Sequence, residues 1–196
     1  MNSPNSDYPS NLRLKEALPI LYAKLGEGDD GGVNARWIKI YFGKFYVPIP
    51  NFPARKKAVR FHDVHHILTG YPTTWKGETE IGAWEVATGG GTYIATWIFD
   101  MGIFATGLFL HPSATFKAFL KGLRSKSFYN DEYTYEQVLE MTVSEAQSLL
   151  KLVPPKEGPA TFTEILSFTG WWLLAFISSF LIYVAPVAFI IHCMVD

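Results

Sequence analysis

FHDVHHILTGYPTTWKGETEIGAWEVATGGG, residues 61–91, packs three histidines and an aspartate into positions 62–66 and then offers Glu78, Glu80 and Glu85. The first half reads as a helix that stops at Gly70, a natural C-cap glycine, with Pro72 just beyond. Thr73 or Thr74 can cap the next helix, WKGETEIGAWEVAT, which ends in the triple glycine 89–91. That triplet lacks the Lys-Ser/Thr of a phosphate loop and reads as a hinge. Two antiparallel helices joined by a short turn thus form the centre of a mainly α-helical fold.

Working outward, residues 12–25 look helical apart from Pro19, and EGDDGG marks a loop. WIKIYFGKFYVPIPNFP, from residue 37, suggests a short β-hairpin near residues 37–49 turned by Gly43 and Lys44, with Pro48, Pro50 and Pro53 making its end a loop. Beyond the central pair, Thr92 to Pro112 is apolar around a lone Asp100, which points to a buried or membrane-dipping helix, since a carboxylate at bilayer depth is costly unless paired. Gly102 and Gly107, with Ala105 and Thr106, would let a helix or lipid chain approach closely. Residues 113–126 read as a basic amphipathic helix and Tyr135 to Leu152 as a further single one.

From Ile165 to Val195 there is no charged residue, which is more than the about 20 apolar residues a membrane-spanning helix needs. Trp171, Trp172 and Tyr183 suit the membrane interface, and Pro186 could kink or end the first part. Lys117, Lys121, Arg124, Lys126, Lys151 and Lys156 precede this run and only Asp196 follows it, so the expected arrangement is a single-pass or tail-anchored membrane protein with its main domain cytoplasmic. The expected division is a helical metal- and lipid-binding domain over 1–160 and a C-terminal transmembrane segment over 161–196. The N-terminus lacks the apolar core of a secretory signal and reads as a polar lead-in.

The 17 Lys and Arg nearly balance the 18 Asp and Glu, so no basic surface argues for nucleic acid. Cys193 is the sole cysteine, which excludes an internal disulfide and a cysteine-based zinc knuckle. Any metal must be held by His, Asp or Glu. His62 and His66 are four apart on one helix face, and Asp63 is three before His66, so these groups converge without a loop folding over them. Imidazole with carboxylate suits Zn2+ or another divalent metal such as Fe2+ or Mn2+. A further ligand can come from the next helix, where Glu78 and Glu85 share a face and Glu80 points elsewhere.

Three enzyme patterns bear on this cluster. In a zincin protease a glutamate would stand where Asp63 is, and the shorter side chain would reach water poorly. The His-x-x-His-His box of membrane desaturases and hydroxylases fits His62, His65 and His66, but only His111 and His192 remain for the further boxes such enzymes need. The third pattern, His62-Asp63-x-x-His66, eleven residues, then Glu78, resembles the motif of the coenzyme Q biosynthesis protein four family, as does the surrounding HDVHHILTGYPTTWKGE; the similarity spans roughly residues 58–88.

The resemblance implies a helical, membrane-associated protein of ubiquinone biosynthesis with a divalent metal beside a cavity for a polyprenyl tail. It implies His62, Asp63, His66 and Glu78 as ligands, and a role in oxidative decarboxylation of a prenylated ring or in organising other quinone-biosynthesis enzymes. A metal-dependent lyase or oxidoreductase is then expected, with the apolar helix 92–112 lining the tunnel. Glu85 and His65 are candidates to support the ligands, although a solvent-facing His65 is the favoured expectation. The competing readings are a non-catalytic membrane lipid-binding scaffold and a metal-dependent lipid hydroxylase or hydrolase.

Overall fold

A computed structural model describes residues 7–26, 30–42, 45–154, 156 and 158–185. The chain is mainly helical: α1 (Leu14–Leu25), β1 (Trp37–Phe42), β2 (Phe45–Pro50), α2 (Pro53–Thr69), α3 (Trp75–Thr88), α4 (Ile94–Leu110), α5 (Pro112–Leu123), α6 (Tyr135–Glu140), α7 (Val143–Leu149) and α8 (Phe162–Ser179). A 3-10 turn covers Phe128–Asn130, and α8 runs on into a π-helical turn, Phe180–Val184.

The central helices begin and end where their capping residues place them. Gly70 adopts a left-handed conformation (φ 76°) and its N–H closes α2 on the His66 carbonyl. Thr74 accepts the Gly77 N–H at the start of α3. The last turn of α2 is tied down further, because Gln147 donates to the Leu68 carbonyl, Lys121 to the Thr69 carbonyl and the Thr69 hydroxyl to the His65 carbonyl. Carbonyls that a helix end leaves without partners are thereby satisfied from α5 and α7, and the turn carrying His65 and His66 is held from both sides.

Two apolar cores meet at α3. Phe61, Val64 and Leu68 of α2 pack with Leu14 and Leu18 of α1, with Val143 and Ala146 of α7, and with Trp84 of α3. On the other side Ala83 and Val86 of α3 pack with Phe104 of α4, Phe119 of α5 and Phe168 of α8. Close approach of α5 to α3 depends on Gly122, where an added Cβ would lie 2.6 Å from the Ala87 Cβ and 2.6 Å from the Trp84 carbonyl oxygen. Gly107 does the same for α4, meeting Thr79 and Thr115; this is the close helix approach expected of the small residues there.

Three expectations need correction. The stretch 135–152 is two helices, because Thr134 with Gln137 and Thr142 with Glu145 each form a reciprocal capping box and the break lets residue 142 pair with Arg13. Pro48 and Pro50 lie within β2, opposite Lys39 and Trp37, rather than in a loop. A two-stranded ribbon has an outer edge on which a strand needs no N–H donor, so proline is accommodated there. Pro19 lies inside α1, which continues through it. The proposed Gly43–Lys44 turn, Pro186, His192 and Cys193 lie outside the described residues.

Among the described residues one helix, Phe162–Ile182, is long and apolar enough to cross a membrane, with a mean hydropathy of 1.9. Its inner face packs on α4 and α5 through Phe168 and Ala175, with Trp172 donating to the Ala105 carbonyl, while Leu166, Leu173, Leu174, Ile177 and Leu181 are exposed. Arg124 fastens its start, gripping both Glu164 oxygens at 2.7 and 2.8 Å and the carbonyls of Gly158 and Pro159. Gly122→Val is expected to destabilise the detergent-solubilised protein by about 1–3 kcal/mol through overpacking against α3, seen as a lowered midpoint of thermal denaturation.

Candidate metal centre and cavity

The α2–turn–α3 hairpin brings His62, His66 and Glu78 together. His66 Nε2 lies 3.1 Å from His62 Nε2 and 3.4 Å from Glu78 Oε1, and His62 Nε2 lies 3.5 Å from Glu78 Oε2. Ligand atoms at Zn–N and Zn–O distances in a tetrahedral site stand about 3.3–3.4 Å apart, so the three side chains already have the separations of a coordination set.

The far side of each imidazole sets its tautomer. His66 Nδ1 faces the Tyr71 carbonyl at 2.8 Å and must donate to it, leaving Nε2 as the lone-pair nitrogen. His62 Nδ1 faces Glu85 Oε2 at 2.9 Å and donates to that carboxylate. Two Nε2 lone pairs 3.1 Å apart repel unless a proton or a metal cation lies between them. Burial opposes a charge on His62, yet Glu85 and Glu78 outweigh it and hold this imidazole well above its ordinary pKa of 6.5. Burial would raise Glu78, but hydrogen bonding and charge from His62 and His66 keep it well below the usual carboxylate range. The cluster is therefore built around positive charge, and a divalent cation can replace the proton.

Glu85 is fully buried and does more than support His62. Its other oxygen takes His65 Nδ1 at 2.6 Å, and His65 Nε2 accepts the Phe128 N–H at 3.1 Å. His65 is 0% exposed, wedged against Trp84, Phe128 and Tyr129, which corrects the solvent-facing expectation: its side of α2 is covered by the 3-10 turn. Burial lowers the His65 pKa and keeps it neutral. Glu85 itself is held well below its ordinary value, since the two imidazoles overcome the burial that would raise it.

Asp63 stands apart. Being next to His62 on α2 it faces α1, where Tyr22 donates its hydroxyl to Oδ2 at 3.0 Å, and it is not one of the converging His62, His66 and Glu78 ligand atoms. Glu80 turns away from the histidines and pairs with Lys76, as its helix position indicates. A second grouping is one that sequence reasoning missed: His62, Glu85 and Asp100 of α4 bring ligand atoms within 4.8 Å of one another. Asp100 is buried, and burial together with the charge and contact of the neighbouring Glu85 pushes its carboxyl well above the usual range. Only the apolar surroundings of Asp100 hinted at such a role.

Of these groups His62, Glu78 and Asp100 line a cavity of about 640 Å³. Its walls are mostly apolar, with Trp37 of β1, Ala58 and Val59 of α2, and Phe99 and Ile103 of α4. The lip at Gly31–Ala35 is held by Asn51, whose amide donates to the carbonyls of Gly32, Val33 and Ala35. The volume lies within the range of about 300–1,000 Å³ typical of ligand sites. No family model, no curated protein and no solved structure matches this chain.

Glu85→Ala strands His62 and the buried His65 and is expected to cost about 3–5 kcal/mol. Glu132→Ala removes only an exposed pair with Lys126 and is expected to change stability by less than about 1 kcal/mol. Denaturant midpoints of the two variants measured side by side give the comparison.

Proposed function

We propose that this is a membrane-anchored metalloprotein whose cavity binds a prenylated aromatic intermediate of ubiquinone-type biosynthesis by its polar head. The observation that carries the reading is the convergence of His62 Nε2, His66 Nε2 and Glu78 at ligand spacing, with His62 and Glu78 lining a mostly apolar cavity. The donor set suits Zn2+, with Fe2+ or Mn2+ as alternatives, and a bound cation would act as a Lewis acid toward a ring hydroxyl or carboxylate oxygen. Glu85 and the Tyr71 carbonyl orient the two imidazoles; supporting contacts of this kind ordinarily contribute 10–100-fold in metal affinity.

The aromatic and aliphatic walls hold the ring and exclude water, and α4 gives an apolar side along which a prenyl chain can lie. Replacing a ring carboxyl by hydroxyl, with release of CO2, is a net two-electron oxidation, so that reaction requires an external oxidant such as O2 as a further reactant, to which a redox-active metal such as Fe2+ could pass the electrons. The ligand set carried by the resemblance included Asp63; its bond to Tyr22 gives it a place as a neighbour that steadies α2 against α1. The exposed apolar face of α8 supports anchoring, and Lys117, Lys121, Arg124 and Lys151, which line one hollow near its start, favour a cytoplasmic main domain.

Purified from membranes, the protein is expected to carry about one divalent metal per chain and a copurifying prenylated aromatic lipid, both identified by mass spectrometry. His66→Ala is expected to lose the metal. Absence of metal from the wild type would sink the reading, while metal loss with quinone production intact would favour a scaffold. Carbonate washing is expected to leave the protein in the membrane pellet, and converting Leu173, Leu174, Ile177 and Leu181 together to Gln is expected to release it.

A further inference from the structure

Away from the histidines, a hollow of about 500 Å³ opens between α5, the end of α7 and the chain leading into α8. Lys117, Lys121, Arg124, Lys151 and Lys156 line it, with no acidic residue among its described lining. Lys117, Lys121 and Arg124 are spaced by four and three, so they follow one face of α5 to its end. Two of these cations are already engaged. Arg124 grips Glu164 and the carbonyls of Gly158 and Pro159, while Lys121 donates to the Thr69 carbonyl and lies over the Tyr71 ring. Lys117, Lys151 and Lys156 are exposed and have no acidic partner among the described residues.

Lys151 carries a second signal, in its backbone. Helix α7 ends in a Schellman motif: the Leu152 N–H bonds to the Gln147 carbonyl and the Lys151 N–H to the Ser148 carbonyl. The motif requires a left-handed residue after the cap, and Lys151 supplies it at φ 58°. Glycine is the usual occupant, because a Cβ makes that conformation costly. The turn itself gains nothing from a long side chain there, so the ammonium group it delivers to the hollow accounts for the lysine. The hollow also ends where the apolar helix begins. Gly158 forms part of its wall, and Phe162, Ile165 and Leu166 at the start of α8 are exposed.

We infer that this hollow binds the phosphate headgroup of a membrane lipid, a phosphomonoester without an amine, whose acyl chains lie along the exposed start of α8. The inference rests on the membrane anchoring proposed above and is independent of the metal and of the cavity. With α8 in a bilayer, the three free lysines stand at headgroup depth, where basic pockets recognise anionic lipids. Their ammonium groups supply only donors and the phosphate oxygens only acceptors, so each contact is charge-assisted. A phosphomonoester carries more negative charge than a diester and makes fuller use of three cations. The amine of a phosphatidylserine headgroup would enter a basic hollow with no carboxylate in its described lining to receive it, which selects against such lipids.

The test is native mass spectrometry of the detergent-solubilised full chain, titrated with dioleoyl phosphatidic acid, phosphatidylserine and phosphatidylcholine and with glycerol 3-phosphate. Phosphatidic acid is expected to bind at least about tenfold more tightly than each of the other three. Lys151→Gly is expected to weaken phosphatidic acid binding about fivefold, the scale of one lysine near a charged lipid. Its thermal midpoint should equal or exceed that of the wild type, because glycine suits the left-handed position, so the loss reports the side chain and not the fold. Lys117→Gln, Lys151→Gly and Lys156→Gln together should abolish the preference. The charge-matched change of Lys15, Lys24 and Lys57 to Gln, on α1 and α2, should keep it.

Equal wild-type affinity for phosphatidic acid and phosphatidylcholine, in a protein that resists carbonate washing, overturns the headgroup site and leaves the anchoring standing. Release by carbonate overturns the anchoring, and with it the lipid as the source of the phosphate. Glycerol 3-phosphate binding as tightly as phosphatidic acid makes the hollow a site for free phosphate esters and ends the inference, as does a preference that survives in the triple hollow variant.

Discussion

A single buried carboxylate, Glu85, holds two imidazoles of the neighbouring helix, and the rest of the arrangement follows from that clamp. Moving a carboxylate out of water costs several kcal/mol, recovered only when its lone pairs are well satisfied. Here His62 and His65 satisfy it, and in doing so they fix the rotation of α2 against α3. The rotamer this imposes on His62 turns Nε2 toward His66 and Glu78. Through His65 the same carboxylate reaches the Phe128 N–H, so the 3-10 turn and the Tyr129 wall of the cavity are positioned by the charge that positions the candidate metal ligands. The geometry of the His62–His66–Glu78 cluster and core packing are one problem in this protein.

That coupling explains why α3 is so crowded. It carries Glu78 and Glu85 toward α2, Trp84 toward the first core and Ala83 and Val86 toward the second. A helix with partners all round has little amphipathic character, and glycines opposite it admit α5 and α4 at close range. The membrane-competent helix α8 packs on the second core only, so its apolar outer face is spare surface.

The central hairpin was legible in the sequence because its boundaries are written in local chemistry. Gly70, Thr74 and Gly89 act on their own backbone neighbours, and nothing distant has to be known to read them. The capping boxes at Thr134–Gln137 and Thr142–Glu145 were equally present in the sequence, but the apolar periodicity of 135–152 masked them. Periodicity indicates which residues share a face, not what covers it. Glu78 came to His66 because both belong to one hairpin. Asp63, equally well placed on paper, faces α1, where Tyr22 lies 41 positions earlier, and His65 is covered by Phe128, 63 positions later. Asp100 joined the cluster from a helix whose only sequence signal was a lone acid among apolar residues.

The position of α4 has a consequence for how related chains should vary. One side of α4 lines the cavity with Thr96, Phe99 and Asp100, another meets α8 at Ala105, and a third admits Thr115 at Gly107. Each turn of this helix therefore answers to several neighbours, and substitutions there have to be matched by changes elsewhere. The outer residues of α8 answer only to a requirement for apolarity, which Leu, Ile, Val and Phe meet equally. Homologues should accordingly drift along α8 while α4 changes slowly, if at all, and a comparison of their substitution rates would separate the part of the molecule constrained only to be apolar from the part constrained by several neighbours at once.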